Sequence, residues 1–266
     1  MRTQIKRFLL TIGFMTRIPV KVDLGEVKDE DMHKGFLYYP VVGLVIGLID
    51  MAAYLALAGF LPPVFGILFA MLANLCVTGA FHLDGLSDTA DGIYSARTRE
   101  RMLEIMKDSR IGTNGAIAMC FDLALQFAGI WYCRPRWLVI LLLPVAGKMV
   151  QGAIVYKAIY PREKGIGIYV GTVDLPTVIG TIILGLIPMI LAFSWQGALI
   201  FAILYVFAYL FRIYITGKIG GITGDVMGAG TELAQVLFLI LVIILTRYGG
   251  LEPGSPVAAI GRLLFR

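Results

Sequence analysis

The feature that most constrains this chain is its hydrophobicity, and the stretch from Leu175 to Phe211, which has no charged residue, shows it most clearly. Of the 266 residues, 58% are hydrophobic and only 15% are charged, and the mean hydropathy is +0.83. Soluble globular domains typically contain about 45–50% apolar and about 25% charged residues. This composition excludes a soluble domain and a disordered chain, and it predicts an all-α, polytopic protein embedded in the lipid bilayer.

About seven transmembrane helices would use most of the chain, so we predict a single membrane-embedded domain over residues 1–266. The uncharged stretch is too long for one span, and Ser194–Gly197 provides a turn, so a helical hairpin is predicted there. The final span is expected either to use Glu232 at its entrance or to be short, because few residues separate Glu232 from Arg247. The predicted spans are Phe36–Gly59, Leu61–Ala80, Gly115–Tyr132, Trp137–Tyr156, Pro176–Phe193, Gly197–Phe211 and Thr231–Thr246.

The basic residues predict the orientation of the bundle. Seven spans place the N-terminal arm 1–35 and the loops 81–114, 157–175 and 212–230 on one side. Together these segments carry seventeen of the 23 lysine and arginine residues, as the positive-inside rule expects of cytoplasmic segments. We therefore expect a multi-pass protein of the cell inner membrane with its polar loops in the cytoplasm. The tail 251–266 is interpreted as an interfacial amphipathic helix.

Other classes of protein are disfavoured by the remaining composition. Cys76, Cys120 and Cys133 are far apart in sequence, so we expect free thiols and neither disulfides nor a zinc site. The N-terminal apolar run is short and has no small-residue cleavage site, so no removable signal is expected. The formal net charge of +5 is attributed to membrane topology, and no nucleic-acid partner is predicted, because acidic residues interleave with the basic ones in the loops.

Three aspartates, Asp84, Asp88 and Asp91, follow the second predicted span with helical spacing. At 100° per residue they fall within an arc of about 60°, so a helix here places three like charges on one face. A hard divalent cation such as Mg²⁺, shared with substrate phosphates, would be held by such a set. A solvated acidic face is the alternative, which Gly85 and Gly92 disfavour because glycine weakens a helix that approaches nothing closely.

A basic segment precedes the third predicted span. Lys107 and Arg110 are followed by Gly112 and Thr113, where a glycine-containing turn leads into a helix. Free backbone N–H groups and the helix dipole favour an anion at such a point, and phosphate is the natural ligand. A juxtamembrane basic cluster that only sets topology is the alternative.

A glycine-rich segment, 220–232, precedes the last predicted span and contains Asp225 and Glu232. Its small residues would let the backbone approach a ligand, although a flexible connector has the same composition. Beside the aspartate cluster, the segment is a candidate part of the same site.

Apart from Glu232 at the entrance of the final span, three charged residues fall inside the predicted spans: Asp50, Asp122 and Lys148. A charge in the bilayer core needs a partner or a polar cavity. Asp122 and Lys148 lie at equal depth on adjacent antiparallel spans, so we predict a structural ion pair between them, with substrate contact as the alternative.

Four strings together carry a family resemblance: 14–20, 82–92, 106–115 and 220–225. With them the chain resembles the membrane-integral cobalamin (5′-phosphate) synthases, also called adenosylcobinamide-GDP ribazoletransferases. The resemblance runs over nearly the whole sequence. Gln235 departs from the family pattern, which often has a second glutamate three residues after the position of Glu232.

The resemblance implies a Mg²⁺-dependent transfer at the cytoplasmic face. The 3′-hydroxyl of α-ribazole, or of α-ribazole 5′-phosphate, would attack the pyrophosphate of adenosylcobinamide-GDP at the phosphorus that bears the corrinoid aminopropanol, and GMP would leave. The residues implied as catalytic are Asp84, Asp88, Asp91 and Asp225, and the first three are implied as metal ligands. The residues implied in substrate binding are Arg17, Lys107, Arg110, Gly112, Thr113, Thr223 and Glu232.

Two other functions stay open at this point. A phosphotransferase of the CDP-alcohol type also holds metal ions with helical aspartates, but its Asp-Gly-x-x-Ala-Arg start is absent here, since positions 88 and 89 are Asp and Thr. A cation transporter would use the charges inside the spans as a path, whereas most acidic and basic motifs of this chain lie in loops. The lower base and the assembly of the chain into a homo-oligomer also stay open.

Overall fold

A computed structural model describes residues 2–162 and 171–250, and these ranges contain helices and no strand. The predicted tail helix 251–266 and residues 163–170 of the predicted loop 157–175 lie outside the described residues. The helices are α1 (Arg2–Met15), α2 (Asp29–Gly35), α3 (Tyr39–Ala58), α4 (Pro63–Thr78), α5 (Phe81–Ile93), α6 (Arg99–Ile105), α7 (Thr113–Tyr132), α8 (Arg136–Met149), α9 (Gln151–Val155), α10 (Leu175–Ile219) and α11 (Gly224–Tyr248).

The predicted fold class, a polytopic bundle of apolar helices, is confirmed. Five of the described helices are long and apolar enough to cross a membrane, and a sixth is reached if α4 and α5, which are bent by 85°, form one span. The predicted number of seven is not confirmed by this count.

Helices α8 and α9 form the centre of the bundle, and their segment is the most deeply buried of the apolar spans in the described ranges. Helix α3 crosses α8 at Gly43 and Gly47. A Cβ atom on Gly43 would lie 2.7 Å from the Pro144 carbonyl oxygen, and one on Gly47 would collide with the Leu141 carbonyl. Small residues four positions apart allow this close packing, which is typical of membrane helices.

Helix α10 is interrupted where the sequence predicts a turn. Ser194 has φ 54° and ψ −136°, which is outside the helical region, and it divides the helix into two arms. A Cβ atom on Gly197 would collide with the Met189 carbonyl, so the chain folds back sharply at this point.

The two arms of α10 run in opposite directions past segment 149–156. In the first arm, Gly185 packs at the start of this segment and Thr181 packs further along it. In the second arm, the Tyr205 hydroxyl donates to the carbonyl at the start (2.9 Å), and Arg212 donates to the carbonyl at the end. From the start to the end of segment 149–156, the numbers of the contacting residues fall in the first arm and rise in the second. The two arms are therefore antiparallel, which confirms the predicted helical hairpin.

The helix of the last predicted span is longer than predicted. Helix α11 begins at Gly224 rather than near Thr231. Thr223 is its N-cap, and the side-chain oxygen of this residue accepts a hydrogen bond from Val226 N at 3.3 Å. Of the two expectations for the final span, a short span is wrong and a span that includes Glu232 is confirmed, because glycine and alanine residues that suggest a loop by composition form the first turns of a buried helix.

The N-terminal arm packs as two short helices. Arg7 of α1 donates to Asp31 of α2 at 3.1 Å. Lys34 of α2 forms an ion pair with Asp174, the N-cap of α10. The hydrogen bonds from Lys34 and Thr177 lower the pKa of the Asp174 carboxyl to about 2. These contacts tie the arm to the start of α10.

Candidate active site

Helix α5 carries the predicted aspartates and begins at a sharp bend. Gly79 and Ala80 both have positive φ, 66° and 56°, and the chain turns there by 85° from α4 into α5. The predicted helix is confirmed, and Asp84, Asp88 and Asp91 share one side of it. Asp84 is exposed, and the other two aspartates are half-buried.

Helix α11 crosses α5 closely enough to add a fourth carboxylate. A Cβ atom on Gly85 would lie 2.6 Å from the Asp225 carbonyl oxygen. A Cβ atom on Gly228 would lie 3.0 Å from the His82 carbonyl oxygen. These glycines therefore permit helix contact, and only the residues before Gly224 form the glycine-rich loop that the sequence predicts.

A guanidinium group lies beside these carboxylates. Arg162 Nη2 donates to Asp225 Oδ2 at 2.8 Å, and the Thr223 hydroxyl donates to the same oxygen at 3.3 Å. Asp88 interacts electrostatically with Arg162 and with each of the other three aspartates. We call Asp84, Asp88, Asp91 and Asp225 the aspartate face. Sequence reasoning missed Arg162, whose only signal is its basic charge in a predicted polar loop.

The start of α7 is bound to the aspartate face through Asp91. The Gly112 and Gly115 N–H groups donate to the two oxygens of this carboxylate at 2.7 and 2.9 Å. A Cβ atom at either glycine would collide with Asp91, and one at Gly115 would also collide with Ser87. The helix terminus predicted to bind phosphate is therefore already bound by a carboxylate of the chain itself.

The other predicted residues of this segment face outward. Lys107 and Thr113 are exposed. Arg110 is 87% exposed and forms an ion pair with Asp108 at 2.6 Å. The Arg110 guanidinium lowers the pKa of the Asp108 carboxyl to about 2. The segment is thus near the aspartate face through Gly112, but its basic side chains do not contact it.

The other three residues predicted to bind substrate are Arg17, Thr223 and Glu232. Arg17 lies apart from the aspartate face, and the other two are buried inside the fold. The Arg17 guanidinium lies against Gly79 at the bend before α5. Thr223 is fully buried and caps α11, so its contact is with the helix and with Asp225. Glu232 is also buried, two turns further along α11.

Glu232 belongs to a second polar group within the bundle. Its Oε2 accepts hydrogen bonds from Gln126 and Gln235, both at 2.8 Å, and Gln126 also donates to Asp122 at 2.8 Å. Lys148 lies 2.6 Å from a ring nitrogen of His82 and interacts electrostatically with Glu232. We call this set the buried polar cluster; its members are His82, Asp122, Gln126, Lys148, Glu232 and Gln235.

The predicted ion pair between Asp122 and Lys148 is wrong. No contact within ion-pair distance joins them, although both lie in the described part of the chain. Equal depth brings both residues into one cluster. Rotation about the helix axes then points Lys148 toward His82 and Asp122 toward Gln126.

The aspartate face can be tested for its fit to a metal ion. Within the described ranges no group of three or more His, Cys, Asp or Glu side chains is arranged to hold a metal ion. Asp91 and Asp225 already have hydrogen-bond donors, whereas Asp84 and Asp88 carry no ion pair in these ranges. Mg²⁺ usually takes one or two carboxylates and completes its coordination with water and substrate phosphates. The donors fit an ion bound together with a phosphorylated substrate.

Comparison with known proteins points to one family. A family model described as cobalamin-5-phosphate synthase matches residues 7–243. The adenosylcobinamide-GDP ribazoletransferase of Clostridium novyi is 39% identical over 245 residues, which cover 90% of this chain and 97% of the relative. Proteins of the same name from Acetivibrio thermocellus and Clostridioides difficile are 41% and 36% identical, over 89% and 91% of this chain and 97% and 98% of the relatives. No solved structure matches the chain.

Proposed function

Since the chain belongs to the cobalamin-5-phosphate synthase family, we propose that it joins adenosylcobinamide-GDP to α-ribazole or α-ribazole 5′-phosphate and releases GMP. The observation that carries this proposal is the aspartate face, where four carboxylates from two helices meet beside Arg162. Phosphoryl transfer needs this combination of carboxylates for a metal ion and cationic groups for the phosphate oxygens. The product is adenosylcobalamin or its 5′-phosphate.

We assign the roles on the aspartate face by which oxygens are still available. Asp84 and Asp88 would hold Mg²⁺, because they carry no ion pair in the described ranges. When bound, the ion would neutralise charge on the pyrophosphate oxygens. A carboxylate oxygen of this pair that is not bound to the ion would accept the proton of the attacking hydroxyl.

The remaining residues would position the substrate. Arg162, which is held by Asp225, would donate to a phosphate oxygen of the transferred group. Asp91 would fix the start of α7. Lys107 and Arg110, which precede α7, would then lie where the GDP part of the substrate enters the site.

The test is release of GMP by the purified protein in lipid nanodiscs supplied with adenosylcobinamide-GDP and α-ribazole. Release should require both substrates and Mg²⁺, and chelation of divalent ions should stop it. A CDP-alcohol with a lipid acceptor is the matched control and should give no product. Release of CMP from that control, or GMP release that ignores Mg²⁺, would contradict the proposal.

We also propose that the aspartate face opens to the cytoplasm from the inner membrane, because of the bias of basic residues to that side. Single cysteines at Ser95 and Lys218, in a variant without native cysteines, should resist impermeant labels in intact cells. Labelling should succeed after the cells are opened. Labelling at either site in intact cells would show that the orientation is reversed or that the number of spans before it is different.

A further inference from the structure

A small cavity with both apolar and polar side chains in its lining lies inside the bundle, next to the start of α5. Its volume is about 30 Å³, enough for one water-sized occupant. The polar side chains that line it come from four helices, α3, α4, α7 and α11. They are Asp50, Asn74, Thr78, Gln126 and Glu232.

Asp50 is only half satisfied in this cavity. The residue is 4% exposed. Its Oδ2 accepts a hydrogen bond from Asn74 Nδ2 at 2.7 Å, but its Oδ1 is buried and has no hydrogen-bond partner in the described part of the chain. A buried carboxylate oxygen without a partner is strongly unfavourable, so an occupant that satisfies it stabilises the protein.

The charges around the cavity are also unequal. Asp50, Asp122 and Glu232 are all buried inside the bundle. The Lys148 ammonium group interacts electrostatically with Glu232, and it lies beside the His82 ring. The other two acidic side chains, Asp50 and Asp122, form no ion pair in the described part of the chain, in a region where unpaired charge is unfavourable.

We propose that this cavity binds a monovalent cation of the size of Na⁺. The Asp50 and Glu232 carboxylates would bind it together with the neutral oxygens of Asn74, Thr78 and Gln126. Hard cations prefer such oxygen ligands, and Mg²⁺ is disfavoured because it retains several waters for which the cavity has no room. The bound cation would join four helices beneath the aspartate face, and this proposal is independent of the reaction proposed above.

The experiment measures thermal unfolding of the full-length protein in nanodiscs while NaCl replaces choline chloride at constant ionic strength. The midpoint should rise saturably, by about 5 °C at a Na⁺ concentration about 100 times the dissociation constant. Asp50→Asn should abolish the rise. The exposed Asp23 provides the matched control, and Asp23→Asn should keep it.

Two results would overturn the proposal. One is a midpoint that depends on pH but not on Na⁺, since the acidic groups would then be neutralised by protons. The other is an equal response to Na⁺ in wild type and in Asp50→Asn. If Asp50→Asn does not fold, the unfolding midpoint of wild type is compared in Li⁺, Na⁺ and K⁺ salts. A site of fixed size must distinguish these ions, so equal midpoints in all three salts would overturn the proposal.

Discussion

The aspartate face and the buried polar cluster both combine carboxylates with a cationic side chain, but they treat their carboxylates differently. In the cluster, Gln126 and Gln235 direct their amide N–H groups at Glu232, and Gln126 also binds Asp122. On the aspartate face, Asp84 and Asp88 have no ion pair within the described ranges.

The difference follows from the surroundings. Inside the bundle a carboxylate must find its partners within the protein or in a cavity of the protein, because the surrounding lipid offers none. At the accessible end of the bundle the carboxylates can remain without a partner until a ligand binds, although their mutual repulsion is unfavourable in the unbound state. The carboxylates of Asp84 and Asp88, which lack an ion pair in the described ranges, therefore indicate function, whereas the hydrogen-bonded carboxylates of Asp122 and Glu232 indicate structure.

The largest effect is expected from breaking the buried polar cluster at Lys148. Lys148→Met leaves Glu232 buried without its cation and should lower the free energy of unfolding by about 3–5 kcal/mol, measured by thermal unfolding in nanodiscs. Adding Glu232→Gln removes the second charge, so the double variant should lose less than the sum of the two single losses. Additive losses would show that the two residues do not interact.

The next effect separates the two regions by activity. Asp88→Asn should lower the rate of GMP release at least about 100-fold, because a metal ligand or the base is lost. Its midpoint of unfolding should not fall, since repulsion on the face decreases. Asp122→Asn makes the same chemical change in the buried polar cluster, and folded protein with this change should keep its turnover. Similar turnover of the two variants would remove the distinction between the regions.

Asp91 tests whether the aspartate face also has a structural member. Asp91→Ala removes the acceptor of two N–H groups at the start of α7 and should lower the free energy of unfolding by about 0.5–2 kcal/mol. Asp84→Ala is the matched variant, and its stability should not fall below that of wild type, because Asp84 is exposed and carries no ion pair in the described ranges. Equal stability of both variants in thermal unfolding would show that Asp91 does not hold α7.

The smallest effect concerns the exposed basic residues near the aspartate face. Lys107→Ala and Arg110→Ala should express normally and weaken binding of adenosylcobinamide-GDP about tenfold each, because one charged contact to phosphate is lost. Arg101, which pairs with Glu104 on α6, is the control, and Arg101→Ala should leave the affinity unchanged. Titration calorimetry measures all three. If the affinity is unchanged in Lys107→Ala and Arg110→Ala, their charge serves only membrane topology.

The local features of the fold and the site could be predicted from the sequence. Helical spacing predicts that Asp84, Asp88 and Asp91 share a face, and α5 confirms this. The turn after the first apolar run of α10 predicts a hairpin, and the break at Ser194 confirms it. Both inferences depend on residues close together in the chain, where periodicity and turn composition are informative.

Contacts between distant segments could not be predicted in the same way. Hydropathy gives the depth of Asp122 and Lys148 but not the rotation of their helices, so the predicted pair is wrong. Arg162 meets Asp225 only because the chain packs the segment after α9 against the start of α11. The glycines of α11 resemble a loop in composition, and only the crossing of α5 explains why they lie in a helix.

The central position of α8 has a consequence for how the protein is made. Helix α8 packs against α3, which precedes it in the chain, and against α11, which follows it. During synthesis α8 therefore enters the bilayer before α11 exists, and Lys148 is then without Glu232. The nascent bundle must keep this lysine near His82 or close to water until α11 is inserted. Assembly of the bundle is complete only when α11 is inserted. A truncated chain without α11 should therefore be recognised by membrane quality control.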